Sequence, residues 1–206
     1  MVITPYHRNR KELDKMAVNY IKLSRDEIHR KYNNIFNRCY NESWQDEWNP
    51  KYKGHTMSAD LLDNKYETFF PFVENNYYEV PGEKTDLDHD IIDNTNTVYD
   101  LEHMLFAPHS INVLFEHLEL GKTNIIYNSK KNTYTVKVYY EGDYITVADL
   151  DTYNQALDIY CNIKYGLILD KAERYKDMIP QKLYNIMLTT DVKKINEKFY
   201  IKDDVA

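Results

Sequence analysis

The spacing of apolar residues changes at Gly121, and that change restricts the chain to a mixed architecture. Up to that point apolar residues recur mainly at helical intervals. Beyond it Tyr134, Val136, Val138 and Tyr140 alternate with Thr135, Lys137 and Tyr139, the period of two that marks a half-buried strand. Glu141, Gly142 and Asp143 supply a turn, Tyr144 to Ala148 pairs back, and Ile125 to Asn128 precedes them, so a three-stranded antiparallel sheet is predicted. Asp151 or Thr152 then caps a helix carrying Ala156, Leu157, Tyr160 and Ile163, with Gly166 as its stop. A sheet backed by one amphipathic helix is a complete small domain.

Upstream, Asn9 to Leu23 reads as a mixed-charge helix, and Ser24 with Glu27 forms the capping box of a second. Ile28, Tyr32, Ile35, Phe36 and Cys39 fall on one face of that second helix, and Arg25, His29, Arg30 and Arg38 on the other. Asn41 to Gly54, with Trp44, Trp48 and Pro50, reads as an irregular connection. Asp60 to Asn76 resumes a helical pattern interrupted by Pro71. A strand over Asp86 to Ile92, a turn at Asp93 to Asn96, a return at Thr97 to Tyr99 and a helix from near Ser110 give a hairpin followed by a helix. Asp170 to Thr190 reads as one or two helices broken at Pro180, and Asp191 to Ala206 as a polar tail with a short apolar segment at Phe199 to Ile201. The expected class is α+β: a helical N-terminal part, a ββα unit, a small three-stranded sheet on one helix, and C-terminal helices. Two domains, residues 1–121 and 122–206, fit a chain of 206 residues.

Hydrophobic residues at 43% and charged residues at 29% predict a folded chain rather than a disordered one. No stretch reaches the ~18 apolar residues of a membrane span, and no apolar run follows the basic N-terminal residues, so no membrane association and a cytoplasmic location are expected. Cys39 and Cys161, the two cysteines, support neither a disulfide framework nor a four-cysteine zinc site. Charge is unevenly distributed. Residues 1–53 hold 11 Lys and Arg against 7 Asp and Glu, net +4; residues 54–121 hold 2 against 14, net −12; residues 122–206 hold 13 against 12, net +1. A duplex is gripped through cations on phosphates, so the middle segment cannot do this by charge alone. Either a bound cation and the basic flanks offset its acids, or it faces a protein partner.

The chemistry-bearing residues lie in that acidic segment. Asp88 beside His89, and Asn112 at a helix start, could assemble a one-metal hydrolytic site. A histidine can take a proton from water, and a carboxylate and an amide oxygen can bind a hard cation such as Mg²⁺. Neighbouring strand side chains point to opposite faces, so Asp88 and His89 can serve one site only where the strand is twisted or bulged.

The run Leu87-Asp-His-Asp-Ile91, followed by Tyr99-x-x-Glu102, Phe106-Ala-Pro108 and Ile111-Asn112, resembles the phage HNH endonucleases, a family with a ββα-metal fold. Tyr32-x-x-Ile35-x-x-Arg-Cys-Tyr40 and Tyr52-Lys-Gly54 look like the lead-in of many phage members, and Ile125 to Gly166 is similar to the Apetala-type three-stranded DNA-binding domain that often follows such a nuclease. The resemblance covers roughly residues 28–170. It implies metal-dependent nicking or cleavage of DNA by phosphodiester hydrolysis, with His89 as general base and Asp88 and Asn112 as ligands of Mg²⁺ or Mn²⁺. His103, nine residues before Asn112, stands where the family places the middle asparagine that braces the hairpin and orients the base, and is the second catalytic candidate. An imidazole cannot reproduce an amide's paired donor and acceptor. Around Cys39 only His55, Ser58 and Met104 occupy candidate companion positions, which does not make a four-ligand structural zinc site. DNA contacts are expected from Arg30, Arg38, Lys130, Lys131, Lys137 and Tyr139. The alternatives are a catalytically degenerate relative that binds a host protein through the acidic segment 54–121, for example as an anti-defence inhibitor, and a DNA-binding regulator. For a phage-encoded chain the location would be the host cytoplasm.

Overall fold

The computed structural model describes residues 18–47 and 49–201, which combine helices with small sheets. They fall into two compact units, one comprising the residues up to Asn112 together with Asp177–Leu183, the other Val113–Lys176 together with those from Tyr184 on.

The first unit is organised around α1 (Arg25–Tyr40). Ser24 Oγ accepts the Glu27 N–H and the Glu27 carboxylate accepts the Ser24 N–H at 2.8 Å, closing both halves of the capping box. Ile28, Tyr32, Ile35 and Cys39 are buried, and the Tyr32 hydroxyl donates to the Leu61 carbonyl at 3.1 Å. Phe36 does not join that face; it is exposed beside Tyr40. On the opposite face Arg25 lies over the Tyr66 and Phe70 rings, and His29 packs edge-on to Phe70.

Several predicted boundaries move. The helix expected over Asn9 to Leu23 lies largely outside the described residues. Within them, β1 (Asn19–Tyr20) is extended because it pairs antiparallel with β3 (Tyr78–Glu79). The expected irregular connection contains α2 (Glu42–Glu47) and a 3-10 turn at Pro50–Tyr52, held by the buried Gln45 amide donating to the Arg38 carbonyl at 2.6 Å. Pro71 is not a break. The helices α3 (Ala59–Asp63) and α4 (Phe69–Asn76) separate at 64–68, and Pro71 sits in the first turn of α4, where its missing N–H leaves no bond unmade.

The hairpin also differs from expectation. The strand β4 (Thr85–Asp88) pairs antiparallel with β6 (Leu105–Pro108), in register Thr85 to Pro108 and Asp88 to Leu105. The segment predicted to return, β5 (Val98–Tyr99), instead pairs in parallel with β2 (Thr56–Met57). All four residues of β6 are buried, so it carries no alternating signature. Helix α5 (His109–Glu116) follows immediately.

In the second unit β7 (Ile125–Asn128), β8 (Thr133–Tyr140) and β9 (Asp143–Leu150) form an antiparallel sheet in that order. Glu141 and Gly142, with φ of 48° and 95°, make the two-residue turn whose positive φ values match strand twist. Val136 and Val138 are buried on the helix side, while Lys137, Tyr139 and Tyr144 are exposed on the other. Helix α6 (Tyr153–Tyr175), capped by Thr152 Oγ1 accepting the Gln155 N–H at 3.1 Å, continues through Gly166 rather than ending there. A mid-helix glycine costs only about 1 kcal/mol relative to alanine, which the burial of Leu167 and Ile168 outweighs.

Pro180 directly precedes α7 (Gln181–Thr189). The predicted polar tail is folded as far as the structure describes it, through α8 (Val192–Ile195) and a 3-10 turn at Glu197–Phe199. Its anchor is Asn196, fully buried, which accepts the Leu120 N–H at 2.7 Å and donates to the Leu118 and Val192 carbonyls at 3.0 and 2.9 Å. Asn196→Ala strands these main-chain groups and should lower unfolding stability by about 2–3 kcal/mol in a denaturant titration.

Candidate functional site

Asp88 ends β4, and its own side chain ends the strand. Its Oδ1 accepts the N–H groups of Asp90 and Ile91, both at 2.8 Å, so the chain turns immediately after it. That turn, rather than a bulge within the strand, allows consecutive residues to be buried together: Asp88 is 6% exposed and His89 3%.

His89 is fixed from three directions. Its ring stacks on Tyr99 at 3.9 Å and 18°, and the His55 ring meets it edge-on at 5.1 Å and 67°. The parallel pairing of β2 with β5 accounts for both neighbours, since Tyr99 lies on β5 and His55 immediately precedes β2. On the main chain, the Asn96 amide donates to the His89 carbonyl at 2.9 Å and to Val98 O at 2.7 Å, while its oxygen accepts the Val98 N–H at 3.0 Å. Beyond Tyr99, Arg38 Nη1 donates to the Tyr99 hydroxyl at 3.2 Å and its guanidinium lies over the Tyr52 ring at 5.1 Å.

Two atoms of the predicted site have no partner. His89 Nε2 and Asn112 Oδ1 are buried without a hydrogen bond, and His55 Nδ1 is in the same position. Buried polar atoms are almost always satisfied, so these orphans are candidates for contact with a ligand; among the described residues Thr133 Oγ1 and Arg174 Nε, in the second unit, are also without a partner.

The electrostatics agree. Burial, the Asp90 carboxylate and a hydrogen bond with it push the Asp88 carboxyl up to about 7, against the opposing pull of its two N–H donors. Burial lowers His89 to about 4, with His55, Arg38 and Lys51 adding to the effect and Asp90 opposing it. His89 is therefore neutral at physiological pH. Among the described residues Asp88 has no cationic partner, and no group of three or more His, Cys, Asp and Glu side chains stands together as a metal cage. The oxygens of Asp88 and Asn112 are donors of the kind that a hard cation such as Mg²⁺ or Mn²⁺ would take.

Other predicted residues lie elsewhere. His103 is turned to Asp100, whose carboxylate oxygens are 2.8 and 2.9 Å from its Nδ1, and that hydrogen bond is the main cause raising its pKa. The amide that holds the His89 main chain is Asn96. In the first unit Arg30 is exposed, whereas Arg38 belongs to the His89 surroundings. In the second, Lys130 and Lys131 are exposed, with Lys131 paired to Asp149 at 3.0 Å, and Lys137 and Tyr139 project from the open face of the sheet. Cys39 is a free, buried thiol raised to about 11 by its burial.

Sequence reading missed Asn96, Tyr99 and His55 as site residues. Asn96 had a signal, as an asparagine in the turn after the candidate base; His55 had none, because its neighbour in space is distant in sequence. No family model, curated protein or solved structure matches the chain.

The two shifted groups act oppositely on stability. Asp88, raised in the folded state, contributes stability that is lost as pH rises from about 4 to about 7, whereas His89, lowered in the folded state, contributes stability that is lost as pH falls from about 6.5 to about 4. In chelator, Asp88→Asn should therefore leave stability rising with pH between about 4 and 6.5, and His89→Gln should leave it falling between about 4 and 7. Denaturant titrations across that range check both signs.

Proposed function

We propose that the chain is a metal-dependent DNA endonuclease of the HNH type, hydrolysing a phosphodiester at the site around His89. The observation that carries this reading is the unbonded, buried Nε2 of a neutral His89 beside a buried Asp88 carboxylate that has no cationic partner among the described residues. Asp88 and Asn112 supply oxygen ligands, and Asn112 Oδ1 has an unused acceptor for that purpose. A divalent ion held there supplies Lewis-acid stabilisation of charge developing on the phosphate and the leaving oxygen.

His89 Nε2 takes the proton of the attacking water. Tyr99 and His55 fix the plane of the ring, and Asn96 holds its main chain, so little reorientation is needed at the moment of transfer. DNA would be met by Arg30 on the first unit and by Lys130, Lys137 and Tyr139 on the second, the Tyr139 ring resting against Tyr144 at 5.2 Å. Lys131, exposed and tied to Asp149, contributes less. One such centre cuts one strand per encounter, so nicking is the elementary event.

Supercoiled plasmid incubated with the protein and Mg²⁺ or Mn²⁺ should accumulate the nicked form, chelator should stop it, and His89→Ala should slow it by roughly 100-fold or more. Equal nicking by both proteins, or none by either, removes the reading.

A second reading rests on a different observation. Asp60, Asp63, Glu67, Glu74 and Glu79 are exposed on the first unit, an acidic surface suited to a basic protein partner. In that case a stoichiometric partner should be recovered equally by the wild type and by His89→Ala, while charge reversal at Asp60, Asp63 and Glu67 should abolish its capture.

A further inference from the structure

We infer that Arg38 and His55 form an oxyanion subsite beside His89 that holds a phosphate group through its non-bridging oxygens. The inference deepens the nuclease reading by naming which groups seat the substrate's phosphate.

Arg38 offers five N–H donors, of which one meets the Tyr99 hydroxyl. It makes no close ion pair among the described residues although it is half-buried, the Asp88 charge reaching it only from a distance, and the unused donors of a half-buried guanidinium suit an anion. The Tyr52 ring under it and the Tyr99 hydroxyl beside it fix the plane of the fork. His55 is edge-on to both Tyr52 and His89, and its buried Nδ1 has no partner. The charges of Arg38 and Lys51 both reach His55 and His89, where the charge of Asp90 opposes them.

Arg38, Tyr52 and His55 are each partly exposed, whereas His89 is 3% exposed, so an anion entering from solvent would meet the first three before the base. Asp88 and Asp90 lie within electrostatic reach of Arg38 and of the two rings and repel an anion, so a phosphate seated on Arg38 and His55 approaches them only with a bound cation between. The subsite thus orders the components, cations against Asp88 and the phosphate against Arg38.

The test uses the full-length protein in chelator, with inorganic phosphate as the probe and the ring nitrogens of His55 and His89 followed by NMR. Saturable shifts of both rings are expected at constant ionic strength. Arg38→Met should weaken phosphate binding by about tenfold or more, Arg38→Lys by less, and Lys22→Met, at an exposed lysine, not at all. His55→Gln provides a second variant should Arg38→Met fail to fold, and should also weaken binding. Absence of saturation, or equal affinity in Arg38→Met or His55→Gln and the wild type, overturns the inference. Plasmid nicking in parallel separates the two ideas: phosphate binding that depends on Arg38 without nicking removes the nuclease reading and keeps the subsite, whereas nicking without such binding does the reverse.

Discussion

The pairing of β4 with β6 is the constraint on which the candidate site depends. It closes the segment 89–104 into a loop whose two ends are fixed at Asp88 and Leu105. Everything that defines the site is then set by how that loop is filled: the turn on the Asp88 carboxylate, the Asn96 bridge between His89 and Val98, and the insertion of Tyr99 under the His89 ring. The ladder is itself anchored in the core. Phe106 O accepts the Tyr78 hydroxyl at 3.0 Å, and the Thr85 hydroxyl donates to the Tyr78 carbonyl at 2.9 Å, tying β3 to both strands.

The polar groups buried by this arrangement are not there for stability. An unsatisfied buried donor or acceptor costs about 1–3 kcal/mol, and a carboxylate kept from water without a counter-charge costs more. His55, His89 and Asn112 carry such unsatisfied atoms within one unit, and Asp88 makes no ion pair among the described residues, while the same unit satisfies Tyr32, Thr85 and Tyr78. Selective dissatisfaction of this kind is what a binding or catalytic role requires of a folded chain. It is also why the environment separates the two titrating neighbours, keeping the imidazole neutral and the carboxyl reluctant to ionise.

How much was legible in the sequence follows from the range of the interactions. Local ones were readable: the Ser24 capping box, the Thr152 cap, the alternation along β8 and the turn at Glu141 and Gly142 all act within a few residues. The partner of β4 was not. Two candidate segments follow it, and the one nearer in sequence pairs with β2, while the true partner is buried on both faces and shows no alternation. Gly166 and Pro71 misled for a related reason, because packing and position within a helix override what each residue would do in isolation. For the site, Asp88, His89 and Asn112 were visible as residue types in order. His55 and the reassignment of Arg38 from an outward-facing cation to a neighbour of the base required the fold, since nothing within a few residues of either indicates what it faces.

The parallel contact between β2 and β5 carries a kinetic consequence. Two residue pairs, Thr56 with Val98 and Met57 with Tyr99, must be brought together before they gain anything from hydrogen bonding, and the intervening chain loses its loop entropy first. The same contact delivers His55 and Tyr99 to His89. Assembly of the site is therefore coupled to a non-local closure, whereas α1 and the hairpin of β8 and β9 rest on contacts close in sequence. Without that closure the chain would have a histidine at position 89 with neither Tyr99 beneath its ring nor His55 at its edge.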